Sequence, residues 1–394
     1  MLELIFALLL GIAFGFLLGL APGIHPNTTI LLLPLFLAIG FSSLPLLIFL
    51  ASMAITNAIS DIIPSILLGA PDNELSVLPG HRMLLLGQGY QAIKLSVIGS
   101  IGAIIFVTAL MPIIFFGLPN LYAIIKPYIF LLLIFISAFL IYTEKGANKK
   151  AVALLCFLLA GIIGLFSQRL PIDNNLVLFP ILSGFFGISM LLLQIKSKTE
   201  IPEQKEGELY ISKKTINRSV IFGSLGGVLS GFLPGVGSSQ IAAIATIDKN
   251  DRSFLITNAA INAANALMAM LSLYLISKPR SGVAVMIEQA MNIGFNESLI
   301  IIAVSLAAAG IAALLTLKSA KIFVKLIRKI DYSKISIAII TLLVFLTFLF
   351  TGFYGLLLLA TCTALGIFVN LSGIRRGLLM GALIIPTILF YLGV

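Results

Sequence analysis

The fold is decided by a glycine pattern that occurs twice, first as GIAFGFLLGLAPG at 11–23 and again as GSLGGVLSGFLPG at 223–235. In each copy three glycines lie four residues apart and a Pro-Gly pair follows, and the two copies are offset by 212 positions. A second echo follows each copy, because ITNA stands at 55–58 and again at 256–259. A membrane unit written twice, with a break at the same place in each copy, is typical of transporters whose broken helices meet near the membrane midplane.

The composition of the chain indicates that most of it lies in a lipid bilayer. The chain is 60% hydrophobic and only 10% charged, and it contains uncharged apolar runs long enough to cross a bilayer. The runs lack the strict alternation of membrane strands, so the sequence predicts an all-α polytopic membrane protein. The first run, 2–20, has no basic leader region and is interpreted as a retained helix. Cys156 and Cys362 lie in apolar runs, where free cysteine packs as a small hydrophobe.

Each half contains about seven apolar segments, and the second segment of each half is short enough to be a re-entrant arm. In the first half the segments are 2–20, 28–41, 46–69, 91–116, 127–143, 151–167 and 175–194. In the second they are 216–233, 238–248, 254–276, 298–317, 335–352, 354–371 and 378–393. An odd number per half predicts two inverted repeats, 1–194 and 216–394, joined by a linker at 195–215.

The distribution of positive charge supports this topology. With both termini outside, the outer loops carry Lys126, Arg169, Lys278 and Arg280, and the other 21 of the 25 Lys and Arg residues face the cytoplasm. The net charge of +10 is therefore explained by membrane orientation, and nucleic acid is not an expected partner. The linker 195–215 is rich in Lys and Glu and is expected to be solvated in the cytoplasm. Residues 318–334 place basic and apolar side chains on opposite faces, which predicts an amphipathic helix on the cytoplasmic lipid surface.

The two Pro-Gly breaks are the predicted substrate site. Each break precedes a short apolar segment, so the hydroxyl residues after it stand at a helix N-terminus, where unpaired N–H groups attract anions. The alternative is an ordinary helix end at the interface, capped by those hydroxyls. The expected contributors are Pro22, Gly23, His25, Asn27 and Thr28 in the first copy and Pro234, Gly235, Gly237, Ser238 and Ser239 in the second.

Asp61 is an acid well inside an apolar run, and an intramembrane carboxylate is by default a functional hypothesis. Asn57 lies four residues before it, and an offset of 201 matches these two positions to Asn258 and Asn262. Each pair shares one helix face. We expect the three asparagines to line a substrate pathway and Asp61 to bind a coupling proton or sodium ion. The alternative is a buried carboxyl that is hydrogen-bonded for packing only.

Two proline-containing segments follow these helices. Residues 69–83 contain Gly69, Asp72, Glu74 and Arg82, and their counterpart is Lys278-Pro-Arg280-Ser-Gly. Both are interpreted as interfacial loops with mostly solvated charges. Lys278 and Arg280 could instead receive an anion from the outer side.

At these motifs the chain resembles the TctA family, the large membrane subunit of tripartite tricarboxylate transporters. The first-half pattern of the family is fitted by Gly69, Pro71, Gly80, Met83, Gly87 and Ala92, and its Asn-rich helix by Asn258, Asn262 and Asn265. Pro79 and the segment Ser277–Arg280 depart from the family pattern, and His25-Pro26-Asn27 suggests a divergent, archaeal subgroup. The resemblance implies a small membrane subunit and an external binding protein as partners.

The sequence therefore predicts a secondary transporter for a small organic anion, which works by alternating access with cation coupling. A translocase for a lipid-linked anion such as polyprenyl phosphate is the alternative, because helix N-termini suit phosphate equally well. An intramembrane enzyme is not expected, since the His-Glu-x-x-His pattern is absent from the sequence. No cofactor is expected apart from Na⁺ or H⁺ as coupling ion. Membrane lipids are expected partners, and the sequence leaves open whether the chain forms a homodimer.

Overall fold

The structure, a computed structural model, describes residues 2–21, 42–67, 74–173, 176–195, 202–205, 211–232, 241–242, 250–326 and 332–393. Within these ranges the chain is helical wherever it forms regular structure. The helices of the first half are α1 (Leu2–Leu20), α2 (Ser43–Ser60), α3 (Ile62–Leu67), α4 (Glu74–Leu85), α5 (Gly89–Ile125), α6 (Ile129–Tyr142), α7 (Ala147–Ser167), α8 (Leu178–Leu182) and α9 (Ser189–Ile195), with a 3-10 turn at Lys126–Tyr128 and a π-helical turn at Ser183–Ile188.

The second half repeats this style of long apolar helices. Its helices are α10 (Lys213–Phe232), α11 (Asp251–Ile276), α12 (Gly282–Ala290), α13 (Phe295–Leu326), α14 (Tyr332–Leu371) and α15 (Gly381–Leu392), with a 3-10 turn at Arg376–Met380 before α15. The backbone of α14 is non-helical at Gly352, so α14 consists of two helical arms. Among the described residues, seven helical stretches are long and apolar enough to cross a membrane. The predicted all-α polytopic membrane fold is confirmed.

Two sequence interpretations need correction. Residues 74–85 form α4, although the segment 69–83 was expected to be an interfacial loop. Pro79 is the sixth residue of this helix, so it leaves one carbonyl of the preceding turn without an intrahelical donor. The basic segment 318–326 is the continuation of α13, and so the amphipathic helix expected at 318–334 does not begin as a separate element. Residues 327–331 lie outside the described ranges.

The chain divides into two compact units, and each draws on both halves of the sequence. The first unit comprises Met1–Pro119, Glu200–Phe232 and Ser238–Ile330, and the second comprises Asn120–Thr199, Leu233–Gly237 and Asp331–Val394. The predicted repeats, 1–194 and 216–394, are a different partition of the chain, and their inverted relation stays a prediction.

In the first unit the repeated glycines form two helix seams. A Cβ atom at Gly11, Gly15 or Gly19 would overlap Phe49, Met53 or Ser60 of α2. Gly223, Gly227 and Gly231 meet Thr257, Ile261 and Met268 of α11 in the same way. Glycine is required in both seams because the facing backbones lie too close for a side chain. Both sets of repeated glycines are therefore helix-packing surfaces.

The seams also define a register between the two halves. The partners Phe49 and Thr257, Met53 and Ile261, and Ser60 and Met268 are each 208 positions apart. The ITNA motifs at 55–58 and 256–259 are 201 positions apart. This offset differs by seven residues, or about two helical turns, from the 208 positions that separate the packing partners. In the packing register Asn57 therefore corresponds to Asn265.

The second unit uses glycine in a similar manner. Gly161 and Gly164 of α7 pack on Ile385 and Ala382 of α15. Glu144, with only 8% of its side chain exposed, accepts a hydrogen bond from the Arg375 N–H at 3.0 Å and lies 3.8 Å from its Nε. This contact ties the end of α6 to the turn before α15.

Candidate functional site

Asp61 lies where the helical ladder of the first half is interrupted. α2 ends at Ser60 and α3 begins at Ile62, because Pro64 has no N–H to donate to the carbonyl of Ser60. The chain still turns helically, since the Asp61 N–H donates to the Asn57 carbonyl and the Ser65 N–H donates to the Asp61 carbonyl, each at 3.0 Å. The break thus presents the Asp61 carboxyl on a short turn between two buried helices.

The second wall of the site is α11. The Asn250 side chain caps its beginning by accepting a hydrogen bond from the Arg252 N–H at 3.0 Å. Asn258 and Asn262 follow one turn apart and therefore share a face. Asn258 is buried, and Asn262 is partly exposed.

The third wall is α5, which was not predicted from the sequence to be part of the site. Gly99 approaches the Ile256 backbone so closely that a Cβ atom could not fit between them. The Ser100 hydroxyl donates to the Ala259 carbonyl at 3.4 Å, and the Ser96 hydroxyl donates to the Ala92 carbonyl at 3.1 Å. The small residues Ser96, Gly99 and Ser100 share one helix face, and this spacing could have indicated a helix-packing surface.

A partly open polar cavity lies between these walls. Its volume is about 20 Å³, which is room for about one water molecule. The polar lining residues are Asp61, Ser65, Ser96, Asn258 and Asn262, and the apolar ones are Ile62, Ile66, Leu255 and Ala259. Asp61 therefore lines the same cavity as Asn258 and Asn262, and the roles expected of these residues stay predictions. Carboxylate, amide and hydroxyl oxygens together form a hard donor set, which suits a small cation.

α4 lies over one side of this cavity. A Cβ atom at Gly80 would lie 3.0 Å from Ile66 and 3.6 Å from Leu255, and both of these side chains line the cavity. An ion pair of 2.8 Å between Arg82 and Asp251 joins α4 to the beginning of α11. Burial lowers the pKa of His81, on the same helix, below its ordinary value, because the charged imidazolium loses hydration there.

Several predicted site residues lie elsewhere. Asn57 is buried but does not line the cavity, and its Nδ2 lacks a hydrogen-bond partner in the part of the chain that the structure describes. Lys278 and Arg280 follow α11, where the chain folds back and the Ser272 hydroxyl donates to the Lys278 carbonyl at 2.8 Å. Ser272 lies roughly 15 Å along the helix axis from Asn262 at about 1.5 Å per residue. The residues of the two Pro-Gly breaks lie outside the described residues: Pro22, Gly23, His25, Asn27, Thr28, Pro234, Gly235, Gly237, Ser238 and Ser239.

Comparison with known proteins places this architecture in a family. The family model described as "Tripartite tricarboxylate transporter TctA family" matches residues 5–381. An uncharacterized protein of the archaeon Methanocaldococcus jannaschii is 32% identical over the full length of both chains. An uncharacterized 52.8 kDa protein of Agrobacterium vitis is 28% identical over 60% of this chain and 50% of that protein. No solved structure matches the chain significantly.

The match to the family model covers nearly the whole chain and includes every wall of the cavity. The expected resemblance, based on the glycine breaks and the Asn-rich helix, is confirmed. The long apolar helices agree with a multi-pass membrane component of a transporter. The chain belongs to the TctA family of tripartite tricarboxylate transporters.

Proposed function

We propose that this protein is a secondary transporter for a small organic anion and that the Asp61 cavity binds the cation that drives transport. The observation that carries the proposal is the meeting of Asp61 with Asn258 and Asn262 in one small, partly open polar cavity. An intramembrane carboxylate is expensive to place, so residues that gather around one are candidates for an ion pathway.

The size and charge of the cavity favour a cation over the transported anion. A volume of about 20 Å³ accepts a bare ion or one water molecule but not a carboxylic acid with several carbons. A carboxylate in the wall repels an anion and attracts a cation. We therefore assign Asn258 and Asn262, first expected to touch the substrate, to the coupling site with Asp61.

The substrate is proposed to bind between the two Pro-Gly breaks, near Thr28, Ser238 and Ser239. Two helix N-termini facing each other would offer unpaired N–H groups to a carboxylate. Lys278 and Arg280 are kept as candidate contacts on the outer approach. Alternating access would follow from movement of two inverted halves around these sites. A small membrane subunit and an external binding protein are the proposed partners, and both termini are proposed to lie outside.

Uptake by the purified chain in liposomes tests this proposal. Labelled tricarboxylates and smaller carboxylates would be offered under an inward Na⁺ gradient, an inward proton gradient or neither, with a soluble polyprenyl phosphate analogue in a parallel arm. We expect carboxylate uptake that depends on one gradient and is lost in Asp61→Asn. The exposed Asp173 gives a matched control, because Asp173→Asn makes the same chemical change outside the site. Uptake that ignores both gradients would overturn the coupling role, and uptake of the analogue alone would favour the lipid-linked anion.

A further inference from the structure

Part of the segment between the two halves is bound to the protein. Residues 202–205 lie against the turn that connects α4 to α5, although three of the four are exposed. The Lys205 main-chain N–H donates to the Gly87 carbonyl at 2.8 Å. Gly87 has φ of +76°, and a Cβ atom there would lie 2.8 Å from the Glu203 carbonyl oxygen. The turn therefore needs glycine both for its conformation and for this contact.

Gln204 is the side chain that holds the two surfaces together. Its Oε1 accepts a hydrogen bond from the N–H of Gly89, the first residue of α5, at 2.8 Å. Its Nε2 donates to the carbonyl of Leu84, at the end of α4, at 2.9 Å. One carboxamide thus caps the end of one helix and the beginning of the next, and it satisfies groups that helix termini leave without intrahelical partners.

The position of α4 decides how well the Asp61 cavity is covered. Gly80 packs on Ile66 and Leu255, which are cavity walls, so these two side chains separate α4 from the cavity. The Arg82–Asp251 ion pair adds a second attachment, but its side chains are 62% and 31% exposed, so it contributes little holding force in water. The bonds of Gln204 are partly buried and are made at the C-terminal end of α4.

We infer that Gln204 is a positioning residue, which keeps α4 closed over the Asp61 cavity. When its two bonds break, α4 is released at its C-terminal end, and the wall formed by Ile66 and Leu255 loses its cover. The position of α4 is inferred from these contacts and does not depend on the proposed function. The interpretation of α4 as an ion gate does rest on the proposed function. The segment between the halves then regulates access to the coupling site and does more than connect two repeats.

Accessibility of a cysteine at Ile66 tests this inference. The reporter Ile66→Cys is placed in a Cys156→Ala/Cys362→Ala background, and the rate of its modification by a small charged thiosulfonate is measured in detergent-purified full-length protein. We expect Gln204→Ala to raise the rate about tenfold, the change expected when about 1.4 kcal/mol of holding free energy is lost. Gln204→Glu keeps the acceptor for Gly89 but loses the donor to Leu84, and it should give an intermediate rate. Equal rates in Gln204→Ala and the background would overturn the inference.

Two controls separate gating from general loosening. Lys205→Ala should leave the rate unchanged, because Lys205 bonds through its main-chain N–H. A reporter at Ala308, fully buried in α13, should stay protected in Gln204→Ala. If Ala308→Cys is exposed as much as Ile66→Cys, the variant has lost its fold and the positioning role is refuted. Repeating the measurement with Na⁺ tests the cation site separately, since ion protection and the effect of Gln204 can fail independently.

Discussion

The two glycine seams have the same backbone packing but different chemistry. In the first seam Gly15 of α1 fits against Met53 of α2, and in the second Gly227 of α10 fits against Ile261 of α11. In the first seam α2 leads directly into Asp61, whereas in the second seam α11 carries Asn262, which lines the same cavity. The repeat thus preserves the scaffold and distributes the charge unequally.

This inequality has a physical reason. Two carboxylates in one small buried cavity would repel each other, and one of them would take up a proton at ordinary pH. One carboxylate with amide neighbours gives a site with a single negative charge and neutral oxygen donors. A site with one carboxylate therefore suits a monovalent cation, since the bound ion leaves no net charge in the cavity.

The largest effect is expected from closing either seam with a side chain. Gly15→Val and Gly227→Val each place a methyl-bearing carbon against a facing carbonyl, and overpacking of this kind costs about 3 kcal/mol or more when backbone must move. Thermal unfolding in detergent should show a large drop in midpoint or loss of the monodisperse species. Gly310→Ala is the matched control, because nothing lies within 4 Å of a Cβ atom there, and it should stabilise the helix by about 0.5–1 kcal/mol. A strong effect in one seam only would break the comparison.

Moving the carboxylate from position 61 to position 262 tests whether the two halves contribute equally to the cavity. Asp61→Asn should reduce the affinity for the coupling cation about ten- to hundredfold, since a polar contact to a charged group is worth about 1.5–3 kcal/mol. The double variant Asp61→Asn/Asn262→Asp restores one carboxylate from the other half and should recover part of that affinity. Calorimetric titration with Na⁺ and pH-dependent uptake would measure both variants. No recovery would mean that the two sides of the cavity are not exchangeable.

A smaller effect is expected at the Arg82–Asp251 ion pair. This pair joins α4 of the first half to α11 of the second, and both side chains reach water. Arg82→Gln and Asp251→Asn should each lower the free energy of unfolding by less than about 1 kcal/mol. A double-mutant cycle in low and high salt would measure the coupling between the two side chains. A coupling that persists at high salt would show that the pair is more shielded than its exposure indicates.

The smallest effect concerns His81, which is found in the first half only. Burial depresses its pKa in the folded protein below the ordinary value of 6.5. Below pH 6.5 the unfolded chain therefore binds more protons at this residue than the folded chain, and stability falls as the pH is lowered toward the folded pKa. His81→Gln should remove this part of the acid sensitivity while leaving stability at pH 8 unchanged. Identical pH profiles for both proteins would contradict the prediction.

The scaffold was largely predictable because apolar length and glycine spacing are local properties of the sequence. The predicted segments 91–116 and 254–276 correspond to α5 and α11, with ends that differ by a few residues except at the C-terminus of α5, where the helix is longer. Helix α4 was missed because Pro79 and Gly80 are turn residues in most settings, and its packing on Ile66 and Leu255 outweighs that preference.

The candidate site was predictable in part. The lone intramembrane acid identified Asp61, and the repeat pointed to Asn258 and Asn262 as its neighbours. Ser96 was missed because nothing in its own surroundings marks it, and only the approach of Gly99 to Ile256 brings α5 to the cavity. The seven-residue difference in register also escaped the sequence argument, since a short echo such as ITNA carries no information on which turns of two helices face each other.

The glycine inside α14 changes the direction of the C-terminal part of the chain. Gly352 has φ of 61° and ψ of −156°, a combination essentially reserved for glycine. Residues eight apart in a straight helix are separated by about 12 Å, yet a Cβ atom at Gly355 would lie 3.4 Å from Thr347. The chain therefore turns back at Gly352, which predicts that Lys334 before the turn and Arg375 after it face the same compartment. An even number of crossings would then separate these two charges, and both would obey one rule of orientation.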